Sequence, residues 1–196
     1  MDADIKDFKI TTLKSNKFIK PFSIEFRQNG IDRVWDCIEI HDSVSILLYH
    51  KNKDAFLLVK QFRPPLWHYQ QKNSIKSDES GFSYELCSGI MDKNICAKQT
   101  AIEEIKEETG FRVRDLVNIT TTYASFGVSS NRQSLFFAYI DDSMKVTEGG
   151  GVDDENIELV YVPRNKAMSF AYDETKAKAA SLIFAFMWFF ENESKI

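Results

Sequence analysis

In the first half of the chain, short runs rich in β-branched and aromatic residues alternate with turn-forming residues, so FKITTL, FSIEFRQ, RVWDCIEI, SVSILLY and AFLLVKQF each read as a strand. Asn29-Gly30 marks a hairpin, because both residue types accept the positive φ of a tight turn. After Pro64-Pro65 the polar stretch QQKNSIKSDESG reads as a loop, and it leads to a further strand, FSYELCS. The period then changes. Between Cys96 and Thr109 there is no Gly or Pro, and Ala97, Ala101, Ile102 and Ile105 recur at helical spacing. NITTTYA, SLFFAYI and IELVYVP follow as strands, the last approached through Gly149-Gly150-Gly151, and residues 175–191 read as a closing helix with an aromatic face. Strands on both sides of one central helix predict an α+β layered domain with a mixed sheet, preceded by an N-terminal elaboration.

Composition narrows the possibilities. A chain of 196 residues with 43% hydrophobic content can bury a sizeable core. Its net charge of -4, with acids and bases interspersed, leaves no basic face for nucleic-acid phosphates. The N-terminus, MDADIKDFKI, is acidic where a signal peptide is basic and then apolar, and SLIFAFMWFF is far shorter than the roughly 18 residues that span a bilayer. A cytoplasmic protein with no membrane partner is the expectation. Cys37, Cys87 and Cys96 lack C-x-x-C spacing and read as reduced packing residues, while His41, His50 and His68 show no metal-ligand spacing.

One segment concentrates charge. Glu103, Glu104, Glu107 and Glu108 fall within six residues, and Glu104, Glu107 and Glu108 at i, i+3 and i+4 share one patch of the helix. Carboxylates so placed repel one another unless a cation joins them, and hard oxygen ligands in this number suit Mg²⁺ or Mn²⁺. They are expected to be surface groups. Gly89 forms a turn upstream, and Gly110 closes the helix in the usual C-terminal position.

The segment Gly89 to Phe111 resembles the Nudix box, in which a glycine, five residues, Glu, seven residues, Arg-Glu, an aliphatic, any residue, Glu-Glu, any residue, Gly and an apolar residue follow in order. Gly89, Glu104, Ile105, Glu107, Glu108, Gly110 and Phe111 fall into register, whereas Ile95 replaces the first glutamate and Glu103 the arginine. FRQNGIDRVWD, HDSVSILLY, LLVKQFRPP, YELCSG, SSNRQSLFF and GGGVDDENIELVYVP are similar to the UDP-sugar pyrophosphatase branch of the Nudix hydrolases, near the ADP-ribose pyrophosphatases. The resemblance implies a Nudix α/β/α sandwich over residues 41–196 and a β-rich region over residues 1–40 that contributes to a homodimer. It also implies Mg²⁺-dependent cleavage of a UDP-sugar such as UDP-glucose to UMP and a sugar 1-phosphate. An ADP-ribose pyrophosphatase is the nearest alternative, and the two departures raise a third, a nucleotide-sugar binding module without catalysis.

The same resemblance suggests roles. Glu104, Glu107, Glu108 and the main-chain carbonyl of Ser88 become metal ligands, and Glu85 is either a further ligand or a solvent-facing strand carboxylate. The loop GGGVDDENIE offers Asp153, Asp154, Glu155 and Glu158; related enzymes carry a catalytic glutamate three residues before a second one, which makes Glu155 the candidate base. Arg63, fixed between an apolar strand and two prolines, suits bidentate phosphate binding or an ion pair at the dimer interface. Arg132 is a second diphosphate contact. Trp35 matches a base-stacking tryptophan of the ADP-ribose relatives, with core packing as its alternative. Trp67, read as lying in a loop, and Trp188, on the tail helix, receive no chemical role. Glu103 adds a like charge one turn before Glu107 unless Lys98, Lys106 or a residue from another segment neutralises it.

Overall fold

The computed structural model describes residues 5–15, 17–152 and 155–196. Asp153 and Asp154 lie outside the described residues. Strands β1 (Lys20–Gln28) and β2 (Ile31–Glu39) form a hairpin whose turn holds Asn29 and Gly30 at positive φ. The main sheet contains β3 (Ser43–His50), β4 (Ala55–Phe62), β5 (Phe82–Glu85), β6 (Cys87–Ile90), β7 (Val117–Tyr123), β8 (Arg132–Ile140) and β9 (Glu158–Pro163). Its path runs β5-β4-β3-β8-β7, with β6 also paired to β3 and β9 to β4. Among the strand pairings of the described residues only β3–β8 is parallel, so the sheet is mixed as expected.

Alternation along β3 and β8 sends side chains to both faces, and each face is covered. Leu47, Phe56, Leu58, Leu135 and Phe137 meet α3 (Ala167–Ala171) and α4 (Ala180–Asn192) through Ala171, Leu182, Phe186 and Phe189. On the other face Val44, Ile46, Leu48, Phe136 and Ala138 meet Ala101 and Ile105 of the acidic helix. Two core layers around one sheet make the expected α/β/α sandwich.

Several expectations need correction. FKITTL forms no strand; Phe8 packs its ring on Trp67 and His68 instead. Both lie on a helix, α1 (Pro64–Lys72), so Trp67 is not in a loop; prolines at the first positions of the helix carry a φ already suited to a first turn. The closing helix starts at Ala180, later than residue 175, since Asp173 accepts from the Thr175 amide and hydroxyl and turns the chain before it. The acidic helix is α2 (Ala97–Glu104) followed by one π-helical turn, Ile105–Thr109. Cys96 is exposed at the N-cap of α2 and is no core residue, Cys37 is half-buried and Cys87 is fully buried; all three cysteines are free. No helix among the described residues is long and apolar enough to cross a membrane.

Candidate active site

The acidic helix docks by Ala101 and Ile105, both fully buried, and Glu104 and Glu108 face β6. The Ser88 amide donates to Glu108 Oε2 at 3.0 Å. A β-carbon on residue 89 would sit 2.1 Å from the Glu104 carboxyl carbon, so only glycine leaves room for that side chain. Glu104 and Glu108 therefore converge on the Ser88–Gly89 backbone.

The C-terminal end of the helix is equally tied. Gly110 takes a left-handed φ of 73°, and the amides of Gly150 and Gly151 donate to the Glu108 and Glu107 carbonyls at 2.8 and 3.2 Å. Lys145 Nζ donates to the Thr109 carbonyl at 2.9 Å. Carbonyls that a helix end leaves unpaired are thus satisfied by the glycine loop, and that loop carries Glu155 to the site. Glu155 Oε2 accepts from the Val152 amide at 3.1 Å and lies where a β-carbon on Gly151 would go, 2.6 Å away.

Burial and mutual repulsion dominate the electrostatics. Glu108 is only 4% exposed, contrary to the expected surface position, and burial pushes its carboxyl to about 8, with Glu104 and Glu155 adding to the rise. Burial and then the Glu107 charge push Glu104 to about 7. Both groups resist carrying a charge here, and a divalent cation would relieve that resistance. The carboxylate oxygens of Glu104 and Glu108, gathered at the Ser88–Gly89 backbone, are the hard donors that a divalent cation takes. Among the described residues no group of three or more His, Cys, Asp or Glu side chains is placed to hold a metal ion as the side chains stand.

The protein's own cations near the site are committed. Arg63 Nε and Nη2 donate to Glu85 at 2.8 and 2.7 Å, and Ser83 Oγ donates to the same carboxylate at 2.5 Å. Glu85 is therefore ion-paired; burial raises its pKa, yet Arg63 outweighs burial and holds the carboxyl below its usual range. The Glu85 hydrogen bond, with smaller additions from the Glu108 and Glu155 charges, raises the Arg63 pKa. Lys93 Nζ reaches Glu103 at 3.2 Å and Glu107 at 3.8 Å. Neither contact follows a spacing rule, so neither Lys93 nor the Arg63–Glu85 pairing was visible in the sequence. A cavity of about 350 Å³ opens beside this group, lined among others by Ser45, Arg63, Glu85, Ser88 and Gln133. A larger one, about 890 Å³, lies between residues 70–82 and 174–177 and includes none of the helix carboxylates.

Arg132 is held by Asp42, its amide at 2.7 Å and its Nε at 3.0 Å, at the rim formed by the starts of β3 and β8. Trp35 is not a core residue. It is 49% exposed on the hairpin, and its indole N–H donates to the Gly127 carbonyl at 2.8 Å.

A sheet layered between helices, with an acidic helix pressing carboxylates onto a glycine-opened strand end, defines the Nudix class. The NUDIX domain profile matches residues 39–184, and the chain belongs to this family. Nudix hydrolases generally act with divalent cations. The chain is similar to the uridine diphosphate glucose pyrophosphatases of Bos taurus, 30% identical over 199 residues and 90% of each chain, and of Mus musculus, 31% identical over 196 residues and 88% of each. It is also similar to the GDP-mannose pyrophosphatase of Cronobacter sakazakii, 32% identical over 175 residues and 86% of each chain.

Proposed function

We propose that this protein hydrolyses the diphosphate of a UDP-sugar, UDP-glucose above all, to UMP and a sugar 1-phosphate with Mg²⁺. The observation that carries the reading is the convergence of Glu104 and Glu108 on the Ser88–Gly89 backbone. Glu104, Glu107, Glu108 and the Ser88 carbonyl would hold the Mg²⁺, with Mn²⁺ as a possible substitute. Bound there, the cation supplies Lewis acidity and neutralises charge on the diphosphate oxygens. Glu155, on the loop clamped to the helix end, accepts the proton of the water that attacks in line. Arg63, oriented by Glu85, presents its remaining nitrogen to a phosphate oxygen, and Arg132 at the rim supplies a second cationic contact.

Residues 1–40 form the dimerisation region in this reading. Phe22, Ile24, Phe26, Ile31, Val34 and Trp35 are all exposed on the hairpin, and a two-stranded ribbon of this kind is marginal without a partner. Trp35 stacks on the nucleobase. Three free cysteines suit the cytoplasm as the compartment. A second reading, GDP-mannose as substrate, is favoured by the bacterial relatives.

The protein is incubated with Mg²⁺ and a panel of UDP-sugars, GDP-mannose and ADP-ribose, and the products are resolved. UMP and glucose 1-phosphate as the fastest-formed products support the reading. Faster GMP and mannose 1-phosphate would transfer it to the second substrate, and no cleavage of any member would leave a binding module.

A further inference from the structure

We propose that Lys93 is the positioning cation of the acidic helix and holds Glu107 in its working orientation from the loop before the helix; this rests on the hydrolase reading above. Glu104 and Glu108 are fixed by packing and by the Ser88 amide. Glu107 has a side chain 32% exposed, and the Lys93 ammonium stands 3.8 Å from it. The same ammonium lies 3.2 Å from Glu103 Oε2, and Gln99 Nε2 donates to the other Glu103 oxygen at 3.2 Å. Gln99, Glu103, Lys93 and Glu107 thus form one continuous chain along the flank of the helix. A tight turn, in which the Lys93 carbonyl accepts from the Ile95 amide at 2.8 Å, sets the position of the lysine backbone.

This arrangement accounts for the acid at position 103. Two glutamates at i and i+4 repel, and an ammonium between them turns the repulsion into a bridge. Glu103 is then no metal-facing carboxylate but the group that holds Lys93. An acidic residue 103 gives Glu107 no cation from its own helix, so the loop provides one. An arginine at 103 would stand one turn before Glu107 and could do the same from the helix.

Half-exposed ion pairs stabilise little, so loss of Lys93 should show in the site far more than in folding. Two readings are taken on wild type, Lys93→Ala, Lys93→Arg and Lys93→Ala/Glu103→Arg: UDP-glucose kinetics, and thermal melts in EDTA and in Mg²⁺. In Lys93→Ala, kcat should fall about 10-fold with KM little changed, as a misplaced ligand costs rate. Its Mg²⁺-induced rise in melting temperature should grow by about 2 °C, because the cation then supplies charge that the lysine no longer does. Lys93→Arg and the double variant should restore both quantities. A kcat unchanged in Lys93→Ala, or a loss that neither Lys93→Arg nor the double variant restores, would overturn the proposal. If wild type itself leaves UDP-glucose intact, the hydrolase reading fails; an unaltered Mg²⁺-induced rise in Lys93→Ala refutes the role of Lys93 whatever the substrate.

Discussion

A β-carbon at position 89 and the Glu104 carboxyl group compete for one space, 2.1 Å apart, so the two residues act as a unit. Gly89→Ala should therefore displace Glu104 and lower kcat about 100-fold, while the melting temperature stays within a few degrees of wild type because the exchange lies at the end of a strand. Unaltered kinetics in that variant would mean that the close approach of Glu104 to this strand has no bearing on catalysis; Gly89 pairs with Val44 inside β6 and forms no turn, contrary to expectation. For the base, Glu155→Gln should lower kcat roughly 100-fold or more with KM nearly unchanged, as expected when a positioned proton acceptor is lost. Should Glu158→Gln carry the loss instead, the assignment moves within the loop. The glutamates were legible in the sequence because helical spacing alone gathers Glu104, Glu107 and Glu108. Burial of Glu108 was not, since it depends on how the helix docks on β6, which no local pattern records. Arg63 was legible as a rigidly held guanidinium, but its partner Glu85 was open between two roles until β4 and β5 were seen side by side.

Among the elements, the acidic helix and the glycine loop were readable from composition, and their mutual clamp was not, because amide-to-carbonyl bonds carry no side-chain signal. Helix α1 was missed for a related reason: two prolines end a strand and begin a helix with equal ease. The segments around α1 depend on Glu79, which accepts from Lys60 of β4 and from Tyr84 of β5, each at 2.8 Å, and from Lys176 before α4 at 2.7 Å. Burial opposes ionisation of this carboxyl, but the two ammonium groups and the phenol outweigh it and hold the pKa at about 2. A folded pKa below the ordinary 4.5 means that Glu79 stabilises fully above pH 4.5 and loses its contribution as pH falls through about 2. Glu79→Gln should destabilise by about 2 kcal/mol at pH 7 and progressively less below pH 4.5. Urea unfolding of both proteins across that range checks this; a difference that stays constant down to pH 2.5 would contradict it.

At the scale of the whole molecule, the seven-stranded sheet encloses its own core without β1 and β2, whose contacts to the rest include Trp35 to Gly127 and the Ile38 amide to the Val128 carbonyl at 2.7 Å. On the proposed role of the hairpin, the full chain should sediment as a dimer and the chain without residues 1–40 as a folded monomer; a full chain that sediments as a monomer would dispose of that role. The layered α+β class was legible, because strand-like runs flank one helical period, whereas the α/β/α sandwich was implied by the Nudix resemblance; β3 and β4 are buried on both faces, so no alternation marks which side a helix covers. The pairing of β3 with β8 in parallel, between residues some ninety positions apart, was not. Everything proposed for the chemistry depends on the carboxylates that meet at Ser88–Gly89, and the most direct measurement is UMP release from UDP-glucose by wild type and Glu108→Gln over a series of Mg²⁺ concentrations. Wild type should release UMP in strict dependence on Mg²⁺, and Glu108→Gln should lose most turnover at every concentration. Equal turnover by the two proteins, or wild-type release that persists in EDTA, would contradict the account.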